Sequence, residues 1–455
     1  MRSLFVDLFV YMKRTGFLLL LALVFFGSCR PDPEPVTYGT DDLLRSQINA
    51  VLDNGGLESL ILPSGLNGIP QDPNNPITAK KVELGRLLYH ETAFATKNLF
   101  QDTEGTYSCA TCHHSEAGFF SGNIQGLGEG GTGFGFHGEA RVPDKAYNPL
   151  NMDLQPVKSP TILNSAYQEL MLWNGQFGAG GDNMGTESQW FEDTPRAVNY
   201  LGFQGLESQA IASIKIHRLE FNAENIESFG YKNWFDQIFG DMASSERYSD
   251  TTAALAIAAY ERSVVANQAP FQQWLRGDYT SMSDAEKKGA MLFFGKAGCY
   301  SCHNGPNLAN MEFAALGFND FDENEVFFIQ AVNPTVNGRA SFTGLESDKY
   351  KFKVPQLYNL IDNGFYGHGA SFKSLREVLE YKNNAIKENP IVGDLFLDDR
   401  FEPLNLTEQE LDLLELFISE SLYDPNLDRY VPGTVNSGNC FPNGDIQSLV
   451  DLGCG

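Results

Sequence analysis

The sequence contains few of the residues that build metal sites and disulfide frameworks. Only 7 cysteines and 7 histidines occur among 455 residues, so close groupings of the two types rarely arise by chance. Basic residues are also scarce, since 32 Lys and Arg stand against 58 Asp and Glu and leave a formal net charge of −26. This acidity argues against binding to nucleic acid, whose phosphates attract basic surfaces, and is compatible with a basic partner protein.

Long apolar runs are scarce as well, and beyond the N-terminus none is predicted to span a membrane. The run Phe17–Phe26 has ten residues, whereas a membrane-spanning helix needs about 20. It follows a basic start, in which Met12-Lys-Arg begins a cleaner signal than Met1, and it ends in small residues, as signal peptides do. The junction at Cys29 resembles a bacterial lipoprotein cleavage site, with ordinary secretion as the alternative.

These features predict a location in the cell envelope, either periplasmic or associated with the outer membrane. Residues 1–29 are predicted to be a lipoprotein-type signal peptide, and the proline-rich residues 30–45 a tether. The expected membrane contact is a lipid on Cys29 and nothing else.

The scarce cysteines and histidines are concentrated in two copies of one motif. Cys109-Ala-Thr-Cys112-His113 and Cys299-Tyr-Ser-Cys302-His303 share the spacing C-x-x-C-H, which is typical of covalent c-type haem attachment. The two thiols bond the haem vinyl groups, and the histidine ligates the iron. A zinc site is the alternative, but no further C-x-x-C or H-x-x-x-H remains to complete one. The sequence therefore predicts two covalently bound haem c groups.

The remaining cysteines indicate an oxidising compartment. Four of the seven belong to the motifs, Cys440 and Cys454 are predicted to form a C-terminal disulfide, and Cys29 is left over for lipidation. Haem attachment, a disulfide and a signal peptide all point outside the cytoplasm.

The chain beyond the signal is too long for a single core and favours two or three domains. We predict an N-terminal haem domain at 46–270, a C-terminal haem domain at 271–430 and a tail at 431–455. The predicted fold class is mainly α, with two cytochrome c-like haem domains and long irregular loops. Helices are expected at Ala79–His90 and Thr251–Val265, and capping boxes begin two more at Ser283 and Ser374.

Outside the haem motifs, the chain resembles the bacterial di-haem cytochrome c peroxidase family, which includes the methylamine-utilisation di-haem enzymes. The matching stretches follow the family's order over about residues 75–385. They are Lys81-Val-Glu-Leu-Gly-Arg86, Ser159-Pro-Thr-Ile-Leu-Asn164, Leu172-Trp-Asn-Gly175, Gly205-Leu-Glu-Ser-Gln-Ala210, Ala258-Ala-Tyr-Glu-Arg262, Phe294 to Gly305, Phe352-Lys-Val-Pro355 and Tyr366-Gly-His-Gly369.

The resemblance implies different tasks for the two haems. The haem on His113 keeps an open iron position for peroxide, whereas the haem on His303 is six-coordinate and relays electrons. A distal acid–base group must then move a proton between the two peroxide oxygens. The family's glutamate position holds Ser208 here. The candidates for the distal acid–base group are Glu207 and His217. Glu207 lies one residue earlier than the family position, so on a helix its side chain is turned by about 100° from it.

Four further residues acquire roles from the resemblance. His137 is a candidate distal ligand in a resting state, and a surface or structural role is the alternative for it and for His217. Trp173 falls where the family has an aromatic relay between the haems, with a plain core aromatic as the alternative. His368 matches a histidine that orients groups beside the second haem. Lys158 replaces an asparagine that ligates calcium in the family, which argues against calcium here.

The sixth ligand of the second haem is a separate question. The family places a methionine or a tyrosine fourteen residues after the histidine equivalent to His368, and that position is Lys382, preceded by Tyr381. No methionine follows Met311. Lys382 continues the apolar stripe of the helix predicted after Ser374, so we expect it, slightly ahead of Tyr381, to occupy or guard the second iron. A lysine that reaches along its stem to water is the alternative.

The resemblance implies a peroxidase that reduces hydrogen peroxide to water with electrons from a small redox protein, of the cytochrome c or cupredoxin type. Within the family the alternative is a maturation enzyme that oxidises residues of a partner protein. From another class, the alternative is an electron-transfer cytochrome without turnover. A homodimer is compatible with the resemblance, and nucleic acid is not an expected partner.

Overall fold

The computed structural model describes residues 39–52, 55–329 and 333–454, and Cys29 lies outside them. Residues Leu44–Gly455 form one compact unit, which contains both haem motifs. The division into haem domains near residue 270 stays a prediction. Within the described residues, no helix has the length and apolar character needed to cross a membrane.

Regular structure is mainly helical, as predicted, and long irregular segments with short 3₁₀ turns join the helices. The α-helices are α1 Thr40–Val51, α2 Ala79–His90, α3 Gly205–Ile216, α4 Ala223–Ser228, α5 Lys232–Ile238, α6 Ser244–Arg247, α7 Asp250–Ser263, α8 Pro270–Leu275, α9 Asp284–Phe293, α10 Ala340–Thr343, α11 Leu375–Asn384, α12 Glu408–Leu416 and α13 Ile446–Asp451.

The strands are only two residues long and form two antiparallel pairs. In the first, β1 Gly131–Thr132 pairs with β2 Val142–Pro143. In the second, β3 Phe313–Ala314 pairs with β4 Phe352–Lys353. The second pair brings the chain after the second haem motif beside the Phe352-Lys-Val-Pro355 stretch.

The core of the first half is the crossing of α2 with α7. Helix α7 is rich in alanine and buried from Thr252 to Ser263, so it packs on every side. A Cβ at Gly85 of α2 would lie 1.9 Å from the carbonyl oxygen of Ala256. The two backbones therefore touch at Gly85, and only a residue without a side chain fits there.

The second half repeats this arrangement with α9 and α12. A Cβ at Gly289 of α9 would lie 2.0 Å from the carbonyl oxygen of Leu413. In each half, the helix that precedes the haem motif thus crosses a later helix at a glycine. This shared crossing fits the predicted fold of two similar cytochrome c-like haem units.

The predicted helix starts are confirmed. Ser283 and Ser374 cap α9 and α11, and in each capping box the glutamate three residues later returns a bond to the cap. The predicted helix over Thr251–Val265 is α7, which begins one residue earlier and ends at Ser263. In the C-terminal tail Cys440 and Cys454 form a disulfide, with their Cα atoms 6.0 Å apart.

The crossing at Gly85 yields a stability test. Gly85→Ala raises intrinsic helix propensity by about 1 kcal/mol, but the new methyl meets the Ala256 carbonyl, and overpacking of this kind typically costs about 1–3 kcal/mol or more. We expect a net loss of stability in thermal or urea unfolding. Gly65→Ala is the matched control, because a Cβ there has no atom within 4 Å. Equal effects of the two substitutions would contradict the close crossing.

Candidate haem centres

Both C-x-x-C-H motifs adopt the same short 3₁₀ turn. The turns are Cys109–Thr111 and Cys299–Ser301. In each, the amide of the second cysteine donates to the carbonyl of the first, at 3.3 Å for Cys112 and 3.2 Å for Cys302. This tight turn brings the two thiols of each motif to one side, as attachment to two vinyl groups requires.

The motif histidines are held in the same way. Nδ1 of His113 lies 3.2 Å from the carbonyl oxygen of Phe119, and Nδ1 of His303 lies 3.0 Å from that of Leu308. Both acceptor residues have a positive φ, 60° and 49°, which turns their carbonyls back toward the histidine. A proton on Nδ1 leaves the Nε2 lone pair for a metal.

Burial keeps both imidazoles neutral. It lowers the pKa of His113 and the pKa of His303 to about 4 each, despite the hydrogen bond to a carbonyl. A neutral imidazole is the form that ligates iron. The two motifs therefore fit covalent haem with a histidine ligand.

A cavity of about 270 Å³ lies over the second motif. Cys299, Cys302 and His303 line it together with mostly apolar side chains, among them Phe293, Leu357 and Leu414. Helix α11 also lines the cavity, through its stripe of Leu375, Val378, Leu379 and Lys382. This is the face that the apolar periodicity predicted. The thiols, the imidazole and the apolar walls fit a haem.

Tyr381 points elsewhere on the same helix. Its hydroxyl donates to the carbonyl of Leu316 at 2.5 Å, and its ring packs against Phe318, Phe372 and Phe401. Tyr381 therefore belongs to an aromatic cluster beside the cavity, and it is absent from the cavity lining.

Trp173 and His368 form one wall of the same cavity. The Trp173 ring lies 6.4 Å from the His368 ring, and Phe352 stacks on His368 at 3.7 Å. Nε2 of His368 lies 3.1 Å from Oδ1 of Asp320. Phe120, which follows the first motif closely in the chain, lines the cavity as well. Aromatic side chains thus lie between the segment after the first motif and the second haem site.

His217 lies beside the first motif and is paired with a carboxylate. Its Nδ1 is 2.7 Å from Oδ2 of Asp153, and its side chain is 32% exposed. Burial lowers the pKa of His217, but the charge and hydrogen bond of Asp153 outweigh burial and raise it above its usual value. The charge of His217 in turn helps to lower the pKa of His113, and Asp153 helps to raise the pKa of Cys112. This pair can take up and return a proton near the first haem.

Glu207 is engaged in a buried ion pair. Its two carboxylate oxygens accept hydrogen bonds from Arg262, at 2.8 Å and 2.6 Å, and Asn75 donates to one of them at 3.2 Å. Both side chains of the ion pair are 0% exposed. Ser208, in the family's glutamate position, donates to the carbonyl of Phe203. Glu207 precedes Ser208 by one residue on α3, so its side chain points in a different direction. It thus lies in the contact between α3 and α7.

Two titratable residues near the first motif, Glu261 and Asp153, were not predicted from the sequence. Oε2 of Glu261 is buried without a hydrogen-bond partner, and burial, followed by the charge of Glu207, raises its pKa to about 8. Its charge also helps to raise the pKa of Cys109. A signal for Glu261 was present, because it lies within the family stretch Ala258–Arg262. Asp153 carries no local signal, since only the fold brings it to His217.

His137 lies on the surface of the glycine-rich loop. It is exposed, and its Nδ1 is 3.1 Å from the carbonyl oxygen of Glu116. Its own carbonyl lies 2.9 Å from Nε2 of His114, the histidine that follows the first motif. These contacts fit the surface or structural role that was the alternative for this residue.

The residues around Lys158 do not fit calcium. The Lys158 ammonium is buried, donates to Oγ of Ser121 and to the carbonyl of Asn123, and lies 5.2 Å from the centre of the Phe365 ring. Calcium needs six to eight oxygen ligands. The Lys158 ammonium already takes the oxygens of Ser121 and Asn123 as hydrogen-bond acceptors. Among the described residues, no cluster of three or more Asp, Glu, His and Cys side chains is placed to hold a metal ion.

This substitution predicts that the protein functions without calcium. Chelator treatment of the purified protein should leave its absorption spectra and thermal stability unchanged, and added calcium should have no effect. Lys158→Met, which keeps the length but removes the ammonium, is the comparison, and we expect it to lower stability. Calcium found in stoichiometric amount by elemental analysis after dialysis would contradict this prediction.

Comparison with known proteins supports the family resemblance seen in the sequence. A family model described as di-haem cytochrome c peroxidase matches residues 79–280, which include the first haem motif. The chain is 26% identical over 354 residues to the methylamine utilization protein MauG of Methylophilus methylotrophus, covering 76% of this chain and 84% of that protein. It is 28% identical over 400 residues to the cytochrome-c peroxidase IdrP1 of Denitromonas iodatirespirans, covering 80% and 88%.

Solved structures show the same fold. A MauG-like protein associated with microbial copper homeostasis superposes with a TM-score of 0.55 at 23% identity, covering 80% of this chain and 95% of that one. The diheme peroxidase BthA from Burkholderia thailandensis superposes with a TM-score of 0.51 at 15% identity, covering 80% and 91%. The resemblance seen in the sequence is confirmed, since the family model matches the chain and its relatives are MauG proteins and bacterial cytochrome c peroxidases.

Proposed function

We propose that this protein is a di-haem peroxidase that reduces hydrogen peroxide to water. One compact unit contains two matching haem-attachment turns. Among the described residues, an acid–base pair of His217 and Asp153 lies beside the first turn and not beside the second, and this difference carries the proposal. The curated relatives include bacterial cytochrome c peroxidases, which supports an oxidoreductase of this class.

The reaction needs two electrons and two protons for each peroxide. Breaking the O–O bond places the electrons on the two oxygens, and the protons complete two molecules of water. Haem, once attached, supplies the iron that binds peroxide and the redox equivalents. The protein supplies the axial histidines, the apolar enclosure and the groups that hold and move protons.

We assign the proton transfer to His217. Asp153 fixes the orientation of the imidazole through Nδ1, so Nε2 is the nitrogen that exchanges protons. Partial exposure of the side chain allows the proton to be replaced from water. Glu207 stays a structural partner of Arg262 in this scheme, since an uncompensated arginine would be costly at a buried position.

We assign the electron path between the haems to Trp173. Its indole lies in the wall of the second haem site, and its Nε1 donates to the carbonyl of Lys158 at 2.7 Å, which fixes the ring. His368 shares this wall and orients the ring system without ligating iron. The external donor we propose is a small redox protein, for which the acidic surface favours a basic docking face.

The similarity to MauG favours a second candidate function. A di-haem enzyme of that branch acts in maturation, so this protein would oxidise residues of a partner protein. Turnover of peroxide with reduced cytochrome c alone supports the peroxidase, whereas peroxide consumption that needs another protein supports maturation. Two haems that are both six-coordinate, with no turnover, would indicate an electron-transfer cytochrome.

We further propose that the protein is exported and held in the cell envelope by a lipid on Cys29. The support is the signal-peptide pattern together with the Cys440–Cys454 disulfide, which belongs in an oxidising compartment. Cys29→Ser should release the protein from the membrane fraction while leaving haem content unchanged.

The two haem motifs should be separable by mutation. Cys109→Ala with Cys112→Ala should remove one haem and abolish peroxide reduction, because the proposed reactive haem is lost. Cys299→Ala with Cys302→Ala should leave a haem that a protein donor cannot supply with electrons. Haem content and steady-state turnover with a protein donor test both. Intact turnover without the second haem would contradict this division.

The acid–base pair gives a kinetic prediction. His217→Ala should slow peroxide cleavage in rapid mixing by about 100-fold or more, the usual contribution of such groups. Asp153→Asn should lower the pKa of His217, so the acidic limb of the rate profile should move to lower pH.

Glu207→Gln serves as the control for the acid–base pair. It should mainly reduce stability, because breaking a buried ion pair costs about 3–5 kcal/mol. A cleavage rate unchanged in His217→Ala would reject His217, and a rate lost only in Glu207→Gln would make Glu207 the acid–base group.

A further inference from the structure

The second haem site contains a lysine amine that the protein leaves without a partner. Lys382 lies on α11 and lines the cavity with the cysteines and the histidine of the second motif. Among the described residues, its Nζ takes part in no hydrogen bond or ion pair, and its one recorded contact is with the Phe401 ring, 5.3 Å to the centroid.

The nearby charged groups are engaged with one another. Asp398 accepts two hydrogen bonds from Arg400, each at 2.8 Å, and Arg400 also pairs with Glu312. Asp398 attracts Lys382, whereas Arg400 repels it. No neighbouring carboxylate is therefore dedicated to this lysine.

Burial without a dedicated counterion makes the ammonium proton of Lys382 easier to lose than it is in water. It lowers the pKa of Lys382 below its usual value, and the strongest opposing influences are Cys299 and Cys302. Lys382 in turn lowers the pKa of His303, so the amine and the imidazole face the same space. A neutral amine carries a lone pair, and an unpartnered polar group in such a place costs free energy unless something binds it.

The other candidate ligands already have partners. The Tyr381 hydroxyl donates to the Leu316 carbonyl, and the Met311 sulfur accepts the amide of Glu169 at 3.3 Å. Nε2 of His368 faces Asp320. Lys382 alone among these four side chains both lines the cavity and keeps its polar atom unpaired in the described structure.

We propose that Nζ of Lys382 is the sixth ligand of the iron in the second haem, on the side opposite His303. The proposal rests on haem attachment at the second motif, which the proposed function also requires. A haem iron held by both His303 and Lys382 would have no open position for peroxide. This pair of ligands also gives a lower reduction potential than the methionine of other family members.

The test is the spectrum of the purified di-haem protein and of four variants, three at Lys382 and one control at Tyr381. Lys382→Ala should lose the low-spin signal of one haem in electron paramagnetic resonance and give a high-spin or water-bound signal instead. Lys382→Arg should give the same loss, because arginine is a long basic side chain that stays protonated and has no lone pair for iron. Lys382→Met should restore a six-coordinate haem with a higher potential. Tyr381→Phe is the matched control on the same helix and should leave both haem signals unchanged.

The outcomes are separable. If Lys382→Ala and Lys382→Arg both keep the low-spin signal of the second haem, lysine ligation is wrong. If Lys382→Arg keeps it and Lys382→Ala loses it, the lysine acts only through its charge, which also overturns the proposal. If Tyr381→Phe alone changes the signal, tyrosine is the ligand. Haem content and circular dichroism identify a variant that fails to fold. In that case the spectrum of Lys382→Met decides whether residue 382 ligates the iron. Absence of peroxide turnover with an intact lysine signature would reject the peroxidase and leave the ligand assignment standing.

Discussion

The structure depends on a close contact between helix backbones at a glycine, and it uses this contact twice. Gly85 meets Ala256, and Gly289 meets Leu413, so in each half the helix before the haem motif is locked against a later helix. Because the motif follows shortly after that helix, the crossing fixes where the cysteines and the histidine stand. The haem turns themselves contain too few residues to hold their position without it.

Although the two haem motifs are held by the same kind of helix crossing, the residues that surround them differ. Around the first motif lie polar and titratable groups, His217 with Asp153 and Glu261, whose pKa burial raises to about 8. Around the second lie apolar walls, an aromatic cluster and the unpartnered amine of Lys382. A reactive haem needs proton donors and an open position, whereas a relay haem needs enclosure and saturation. Under the proposed function, the same local motif would serve two tasks through the residues that the fold brings to it.

Local signals in the sequence were sufficient to predict the haem motifs, several helix starts and one wall of the second haem site. The spacing of the motifs, the capping serines and the apolar stripe of α11 each depend on residues a few positions apart, so they could be interpreted directly. The contacts of Glu207 with Arg262 and of His217 with Asp153 could not, because each joins segments about 50 residues or more apart. The family's glutamate position gave the right neighbourhood, but the one-residue offset decided which partner Glu207 found.

Lys158 has a consequence for how the interior between the two motif regions responds to its surroundings. Its backbone N–H donates to His368, its carbonyl accepts from Trp173, and its ammonium supplies a positive charge where the family resemblance implies a metal ion. A metal ion exchanges with the medium, so its occupancy follows the metal concentration. A lysine amine is part of every chain, and burial lowers its pKa to about 7. The charge beside the tryptophan is therefore governed by acidity, full below neutrality and fading above it, and is independent of metal supply.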